Sequence, residues 1–195
     1  MNTVRKTIIC AAALGPLAPL PAFAHPMPGV GDFYAGMLHP VITTETVLPL
    51  IALSLLAGQQ RREAAIYLLV AFPASLIAGA LLATLGNAPS YLGVVQLVLT
   101  AGFGILVASA GRVPSWLLVA LGALLGISVG WANAADAFGQ INRFRFIAGL
   151  ALVGPLLLVY GNGLVRNLKP EWTQIAVRVV GSWIAAVSIL VLGLR

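Results

Sequence analysis

The sequence predicts an all-α, polytopic membrane bundle of six transmembrane helices that follow a cleaved signal peptide. Hydrophobic residues make up 60% of the 195 residues and charged residues only 8%, whereas about a quarter of the residues in a soluble domain are charged. Several windows of about 18 residues contain at most one charge, which is the length a helix needs to cross the hydrocarbon core of a bilayer. The composition excludes a soluble globular domain and makes the lipid bilayer the first predicted partner.

Residues 1–24 have the three parts of a secretory signal peptide. Arg5 and Lys6 form the basic region, an apolar core follows, and an Ala-x-Ala sequence ends at Ala24. Cleavage there would make His25 the mature N-terminus and leave nine basic against five acidic residues, a net charge of +4. It would also remove Cys10, the single cysteine, and with it any disulfide or thiolate metal site. The alternative is an uncleaved first helix, which the three prolines of this segment would break early.

Residues 25–195 are predicted to form the six-span transmembrane domain. The spans cover approximately residues 41–58, 64–85, 91–110, 114–132, 146–164 and 173–194, and short segments rich in Gly, Pro, Asn and charged residues separate them. His39-Pro40 opens the first span, because proline suits the first turn of a helix. Pro73 and Pro155 each remove a backbone donor from the second and fifth spans, which predicts kinks there.

Polar and small residues distinguish the third and fourth spans. Gln96 and Thr100, four residues apart, are predicted to face the interior of the bundle. The fourth span repeats glycine every four residues, at Gly122, Gly126 and Gly130. This spacing predicts the close approach of another helix and requires no ligand.

Two independent observations orient the predicted domain in the bacterial inner membrane. A cleaved signal peptide places the mature N-terminus in the periplasm. The excess of basic residues in cytoplasmic loops gives the same orientation. The basic residues predicted inside are Arg61, Arg62, Arg112, Arg166 and Lys169, and those predicted outside are Arg143, Arg145 and Arg195.

This orientation collects candidate metal ligands on or near the outer face. Carboxylate and imidazole are the ligands left to a divalent cation where thiolate is absent. The candidates are His25, Asp32, His39, Glu45 and Asp136. An acid a few residues inside a span is a functional candidate by default. We expect Glu45 and Asp136 to approach one another, with His39 within one side-chain length.

Four of the five candidates also have a purely structural interpretation. His25 could be a polar remnant of processing, and His39 an interfacial cap. Glu45 could be stabilised by the helix N-terminus, if the first helix begins one or two residues before it. Asp136 could be solvated or paired with an arginine of the loop that follows. The sequence leaves these alternatives open.

The order of signal peptide, His39-Pro40 entry and six compact spans resembles the HupE/UreJ family of small bacterial membrane proteins. The first-span motif of that family is similar to His-Pro-x-x-Gly-x-Asp-His. Here His39 and Pro40 match, while Thr43, Glu45 and Thr46 replace the glycine, the aspartate and the second histidine.

The fourth-span motif of the family is similar to His-Gly-x-x-His-Gly-x-Glu, and residues 129–136 correspond to it. Both of its histidines are replaced here, and the terminal acid is Asp136. The remaining oxygen-rich set suits a harder cation, or no cation. The family is associated with nickel hydrogenase and urease.

The resemblance implies a permease that imports a divalent transition metal, nickel or cobalt, bound transiently and without a tightly held cofactor. The alternative is a non-transporting accessory or scaffold protein for metalloenzyme assembly. A homo-oligomer and a metalloenzyme-assembly partner are both compatible with the sequence, and a nucleic-acid partner is not expected. No enzymatic activity is expected either, because the predicted spans contain no Ser/His pair, His-Glu-x-x-His motif or paired aspartates.

Overall fold

The computed structural model describes residues 31–137 and 142–195, apart from the side chain of Asp136. The predicted signal peptide and His25 lie outside these residues. The described residues form seven α-helices and no strand, which confirms the all-helical prediction. The helices are α1 (Asp32–Ile42), α2 (Thr44–Gln59), α3 (Arg62–Leu82), α4 (Leu92–Ser109), α5 (Ser115–Ala137), α6 (Arg143–Asn167) and α7 (Glu171–Gly193).

Five of the described helices, α3 to α7, are long and apolar enough to cross a membrane. The helices α1 and α2 are separated by a bend of 73°. If they are counted together as one broken span, the number of crossings is six. The chain is therefore a multi-pass membrane protein with five to six apolar helices. The sequence pattern did not predict α1, because its 11 residues are too few to cross a bilayer and no sustained apolar run marks them.

Helix α2 is the central element of the bundle. It contacts all six of the other described helices. Its second half is buried almost all round, and Leu50, Ala52, Leu53 and Leu56 are fully inaccessible. A helix that is apolar on every side is typical of a core position. The other helices surround α2 and carry most of the apolar side chains that remain exposed, as expected for a surface that faces lipid.

Glycines of α5 allow α3 to pack closely against it, which confirms that the four-residue glycine spacing marks the close approach of another helix. A methyl group built on Gly126 would overlap the Ser75 hydroxyl, and one on Gly130 would overlap the carbonyl oxygen of Leu76. Gly79 makes the reciprocal approach from α3 to the carbonyl oxygen of Ile127. The absence of side chains at these positions brings the two backbones into direct contact, which favours packing between helices in a membrane.

Glycines also bring two further pairs of helices into close contact. In the α4–α7 pair, a methyl group on Gly104 would lie 2.7 Å from the carbonyl oxygen of Gly181. In the α1–α6 pair, Gly36 lies against the carbonyl oxygen of Phe146, and Gly149 lies against that of Phe33. The reciprocal contact of Gly36 and Gly149 holds the short α1 firmly on α6.

The two ends of the bundle are distinct, and hydrogen bonds of Gln60 and Arg166 connect the helix ends at one of them. At one end, which we call the Gln60 end, the Gln60 side chain donates to the carbonyl of Gly111 (2.9 Å) and accepts from the amide of Val113 (2.9 Å). Arg166 donates from α6 to the carbonyl of Gln60 (2.9 Å) and to that of Ala57 (3.2 Å). The opposite end, which we call the His39 end, holds the α1–α2 bend and the start of α6.

Candidate metal site at the α1–α2 bend

The bend is formed by Thr43, the one residue between α1 and α2. Its extended backbone (φ −88°, ψ 108°) interrupts the helix, and both its amide (3.1 Å) and its hydroxyl (2.7 Å) donate to the carbonyl of His39. Helix α2 therefore begins at Thr44, as one of the structural interpretations predicted, and Glu45 lies in its first turn. Pro49 has no N–H, so the carbonyl of Glu45 receives no helical hydrogen bond.

The His39 ring is held by two side chains. Its Nδ1 lies 2.7 Å from Oδ1 of Asn133, a residue of α5 that is 94 positions away in sequence. The ring also makes an edge contact with the buried ring of Phe146 on α6, with 5.8 Å between the ring centroids. The imidazole is therefore fixed from α5 and α6 while its backbone lies in α1.

The hydrogen bonds of Asn133 determine which nitrogen of His39 carries the proton. Asn133 is only 3% exposed, and its Nδ2 donates to Oγ1 of Thr46 (3.1 Å) and to the carbonyl of Val129 (2.8 Å). Reversing the amide would place its oxygen against the Val129 carbonyl, so Oδ1 is the atom that faces His39. An acceptor at that position requires the proton on Nδ1, which leaves the lone pair of Nε2 available in the neutral ring.

This arrangement resembles the usual support of a metal-bound histidine. Such a histidine donates its second ring N–H to a fixed acceptor, which sets the tautomer and the ring orientation. Among the described side chains, none forms a hydrogen bond with Nε2 of His39. One imidazole does not make a metal site, however, and no cluster of three or more His, Cys, Asp or Glu occurs among the described side chains.

The other predicted ligands are distributed around the His39 end. Oδ2 of Asp32 accepts a hydrogen bond from the amide of Asn142 (3.1 Å), which ties α1 to the start of α6. Glu45 is 64% exposed and forms a salt bridge with Arg195, with 3.2 Å between Oε1 and the guanidinium nitrogen. In the part of the chain that is described, the structure thus brings together His39, Thr46 and Asn133, but not His39, Asp32 and Glu45.

Two of the predicted ligands have no described side chain. The backbone of Asp136 lies in the last turn of α5, three residues beyond Asn133, and His25 lies outside the described residues. The expected approach of Glu45 to Asp136 and the five-residue ligand set therefore stay predictions.

The sequence did not identify the partners that hold His39. The signal was present, because Asn133 is an uncharged polar residue inside a span and stands where the fourth-span motif has its second histidine. Thr46 stands where the first-span motif has its second histidine. Three motif positions from two distant segments thus meet at the bend, although only His39 retains the imidazole.

Comparison with curated proteins and with solved structures gives no match. The sequence model of the family described as HupE / UreJ protein matches residues 12–191. This range includes α1 to α6 and all of α7 except its last two residues. The family is associated with nickel and cobalt uptake. The chain therefore belongs to the HupE/UreJ family.

Proposed function

We propose that this protein is a permease that imports a divalent transition metal, nickel or cobalt, and that the metal enters at the α1–α2 bend. The observation that carries the proposal is the meeting of His39, Thr46 and Asn133. These residues occupy motif positions of two separate spans, and their hydrogen bonds leave Nε2 of His39 as a ligand. Family membership supports the same substrate class.

The bend suits the entry of a cation because it offers ligands without a large rearrangement of the helices. A break in a helix at membrane depth is tolerated where protein or a water-filled cavity surrounds it. Here the break lies between the imidazole of His39 on α1 and two oxygens of the first turn of α2, the carbonyl of Glu45 and the hydroxyl of Thr46, and Asn133 links His39 to that hydroxyl. Asp136, one turn beyond Asn133, would supply a carboxylate from α5.

Glu45 would act as an exchangeable ligand in this mechanism. Its salt bridge with Arg195 is exposed on both sides, and exposed pairs contribute only about 0–1 kcal/mol to stability. A divalent cation held by two or more ligands would displace Arg195 at little cost. The carboxylate would then lower the electrostatic barrier to moving the ion away from water.

The proposal also includes the orientation of the protein in the membrane. The Gln60 end carries most of the basic residues, so the positive-inside rule places it in the cytoplasm and the His39 end in the periplasm. Import would then begin at the bend and proceed along α2, the one helix that contacts all of the other described helices.

Metal accumulation in cells that express the protein tests the proposal. We expect His39→Ala to lower nickel or cobalt uptake at least tenfold and Glu45→Ala to lower it to a smaller extent. Glu63→Ala is the matched control, because Glu63 is an exposed acid at the Gln60 end. Equal uptake by wild type and His39→Ala, at equal amounts of protein in the membrane, would rule out entry at the bend.

Two observations favour the accessory interpretation. Only one imidazole remains where the motif positions meet, and no cluster of three potential ligands occurs in the described ranges. Normal membrane insertion without uptake of any metal tested would favour an assembly or scaffold protein. In that case, a metalloenzyme subunit should co-purify with the wild-type protein.

A further inference from the structure

An open cavity of about 620 Å³ lies at the Gln60 end, far from the α1–α2 bend. Its walls come from the end of α2, the α4–α5 connection, the end of α6 and the first two turns of α7. The metal mechanism uses none of its residues. The polar side chains that line it are Gln59, Arg112, Glu171, Gln174 and Arg178.

One face of α7 forms the outer wall of this cavity. Glu171, Gln174, Ile175 and Arg178 follow the i, i+3, i+4, i+7 spacing of a single helix face. Arg178 reaches the end of α4, where its Nε donates to the carbonyl of Ala108 (2.7 Å). Arg178 thus lies level with the end of α4. The seven residues of α7 that precede it span about 10 Å at 1.5 Å per residue, so this part of the helix face extends beyond the end of α4.

The cavity has an excess of positive charge. Arg112 and Arg178 both line it, and neither forms a salt bridge with a described carboxylate. Glu171 lines the same cavity and has no salt bridge with a described residue either. The lining therefore carries a formal charge of +1, which suits an anion and disfavours a divalent cation.

Gln59, which lines the cavity, has a buried hydrogen-bond acceptor that lacks a donor. Nε2 of Gln59 donates to the carbonyl of Val107 (3.2 Å), which fixes the orientation of the amide. Its Oε1 is buried and has no hydrogen-bond partner among the described residues. A buried acceptor without a partner is costly, so the occupant should bring a hydroxyl or another donor as well as a negative charge.

We propose that this cavity binds the headgroup of an anionic glycerophospholipid, with the phosphate on Arg112 and Arg178 and a headgroup hydroxyl on Gln59. The surrounding surface favours a lipid over a soluble anion. Ile175 lines the cavity and is 59% exposed, and the neighbouring Trp172 is 70% exposed. Exposed tryptophan is typical of the headgroup level of a membrane, and basic pockets between transmembrane helices bind anionic headgroups.

The bound lipid would join α7 to the rest of the bundle at the Gln60 end. Its phosphate would bridge the α4–α5 connection and α7 through Arg112 and Arg178, and its acyl chains would lie against the apolar exposed surface of α7. Arg178, an arginine more than a turn inside a span, would then have an anionic partner in addition to the carbonyl of Ala108, at a depth where a charge without a counterion is costly.

Native mass spectrometry of the purified, delipidated protein tests the site, with titration of phosphatidylglycerol and of inorganic phosphate. We expect Arg112→Gln/Arg178→Gln to weaken phosphatidylglycerol binding at least about tenfold, because charge-assisted hydrogen bonds are lost. Arg61→Gln/Arg62→Gln is the matched control, since both arginines are exposed at the same end and do not line the cavity. It should bind within twofold of wild type.

A second comparison tests Gln59. Phosphatidylmethanol has the charge of phosphatidylglycerol but no headgroup hydroxyl, so wild type should prefer phosphatidylglycerol, and Gln59→Leu should abolish that preference. Arg112→Lys/Arg178→Lys should keep binding and show whether the cavity still folds. Equal weakening of lipid binding in Arg112→Gln/Arg178→Gln and in Arg61→Gln/Arg62→Gln would mean general attraction to a basic surface. Displacement of the lipid by millimolar phosphate would mean that the cavity binds a soluble anion. Either result would overturn the proposal.

Discussion

Replacing Asn133 with alanine tests whether the hydrogen-bonded bend is the metal entry site. The substitution removes three hydrogen bonds, which involve His39, Thr46 and the carbonyl of Val129. Two of these bonds, to His39 and Thr46, join different helices, and interhelical hydrogen bonds in membranes contribute about 0.6 kcal/mol each, so the expected loss of stability is about 1 kcal/mol. For a chain of this length, that loss corresponds to a decrease in melting temperature of about 2 to 4 °C.

The functional effect should exceed the effect on stability. Loss of a partner that orients a ligating histidine weakens metal affinity about 10- to 100-fold. We therefore expect Asn133→Ala to raise the apparent KM for nickel or cobalt uptake by at least about tenfold. Asn133→Asp keeps an acceptor for Nδ1 of His39 but cannot donate to Thr46, so it should be destabilised yet retain most of the affinity.

The matched control is Asn162→Ala. Asn162 is also buried, at 8% exposure, and its Oδ1 accepts from Arg166 (2.6 Å) at the Gln60 end. Its loss should lower the melting temperature and leave the apparent KM unchanged. The assays are thermal unfolding in detergent and initial rates of radioactive metal uptake, corrected for the amount of protein in the membrane. An Asn133→Ala protein that is folded, destabilised and unchanged in KM would refute the role assigned to His39.

Three further predictions test the fold. Ala110 ends α4 in the left-handed region (φ 52°), so Ala110→Gly should raise the free energy of unfolding by about 0.5–1 kcal/mol, and a decrease would contradict that conformation. Gly126→Leu should lower the free energy of unfolding by about 1–3 kcal/mol, because it disrupts the α3–α5 contact. Gly102→Leu is the control, since a Cβ at Gly102 meets open space; equal losses of stability in the two variants would exclude a tight contact at Gly126. Reporter fusions at Gln60 and Gln140 should give cytoplasmic and periplasmic signals respectively, and the reverse pattern would overturn both the orientation and the periplasmic entry.

The helical bundle was predictable because long apolar segments in this chain have few alternatives. Only a helix satisfies its backbone within one segment in lipid, so the positions of α3 to α7 followed from composition and punctuation. The glycine spacing at Gly126 and Gly130 predicted a tight contact in the same way. The sequence did not identify α3 as the partner, because which helix lies opposite depends on the packing of the whole bundle.

The contacts at the bend could not be read from the sequence for a similar reason. The prediction that His39-Pro40 opens the first span was wrong, because both residues lie in the last turn of α1 and α2 begins at Thr44. The 73° bend at Thr43 depends on how α1 docks on α6. Glu45 lies 150 positions from Arg195, and nothing local links the two. Arg178 could have been recognised, because an arginine inside an apolar span is a functional candidate by default.

The distribution of charge connects the two proposed sites. The Gln60 end carries six basic and two acidic residues, a formal charge of +4, whereas the three acids and three arginines of the His39 end cancel. A divalent cation that enters at the bend would be repelled as it approaches the cytoplasm. An interior-negative membrane potential of 100 mV offsets this by about 5 kcal/mol for a doubly charged ion. A phospholipid phosphate between Arg112 and Arg178 would remove part of the remaining repulsion. Uptake by the wild-type protein should therefore fall in cells depleted of anionic phospholipid, where both arginine charges persist without their counterion, and uptake by Arg112→Gln/Arg178→Gln, which lacks both charges, should fall less; an equal fall in the two would refute this role of the lipid.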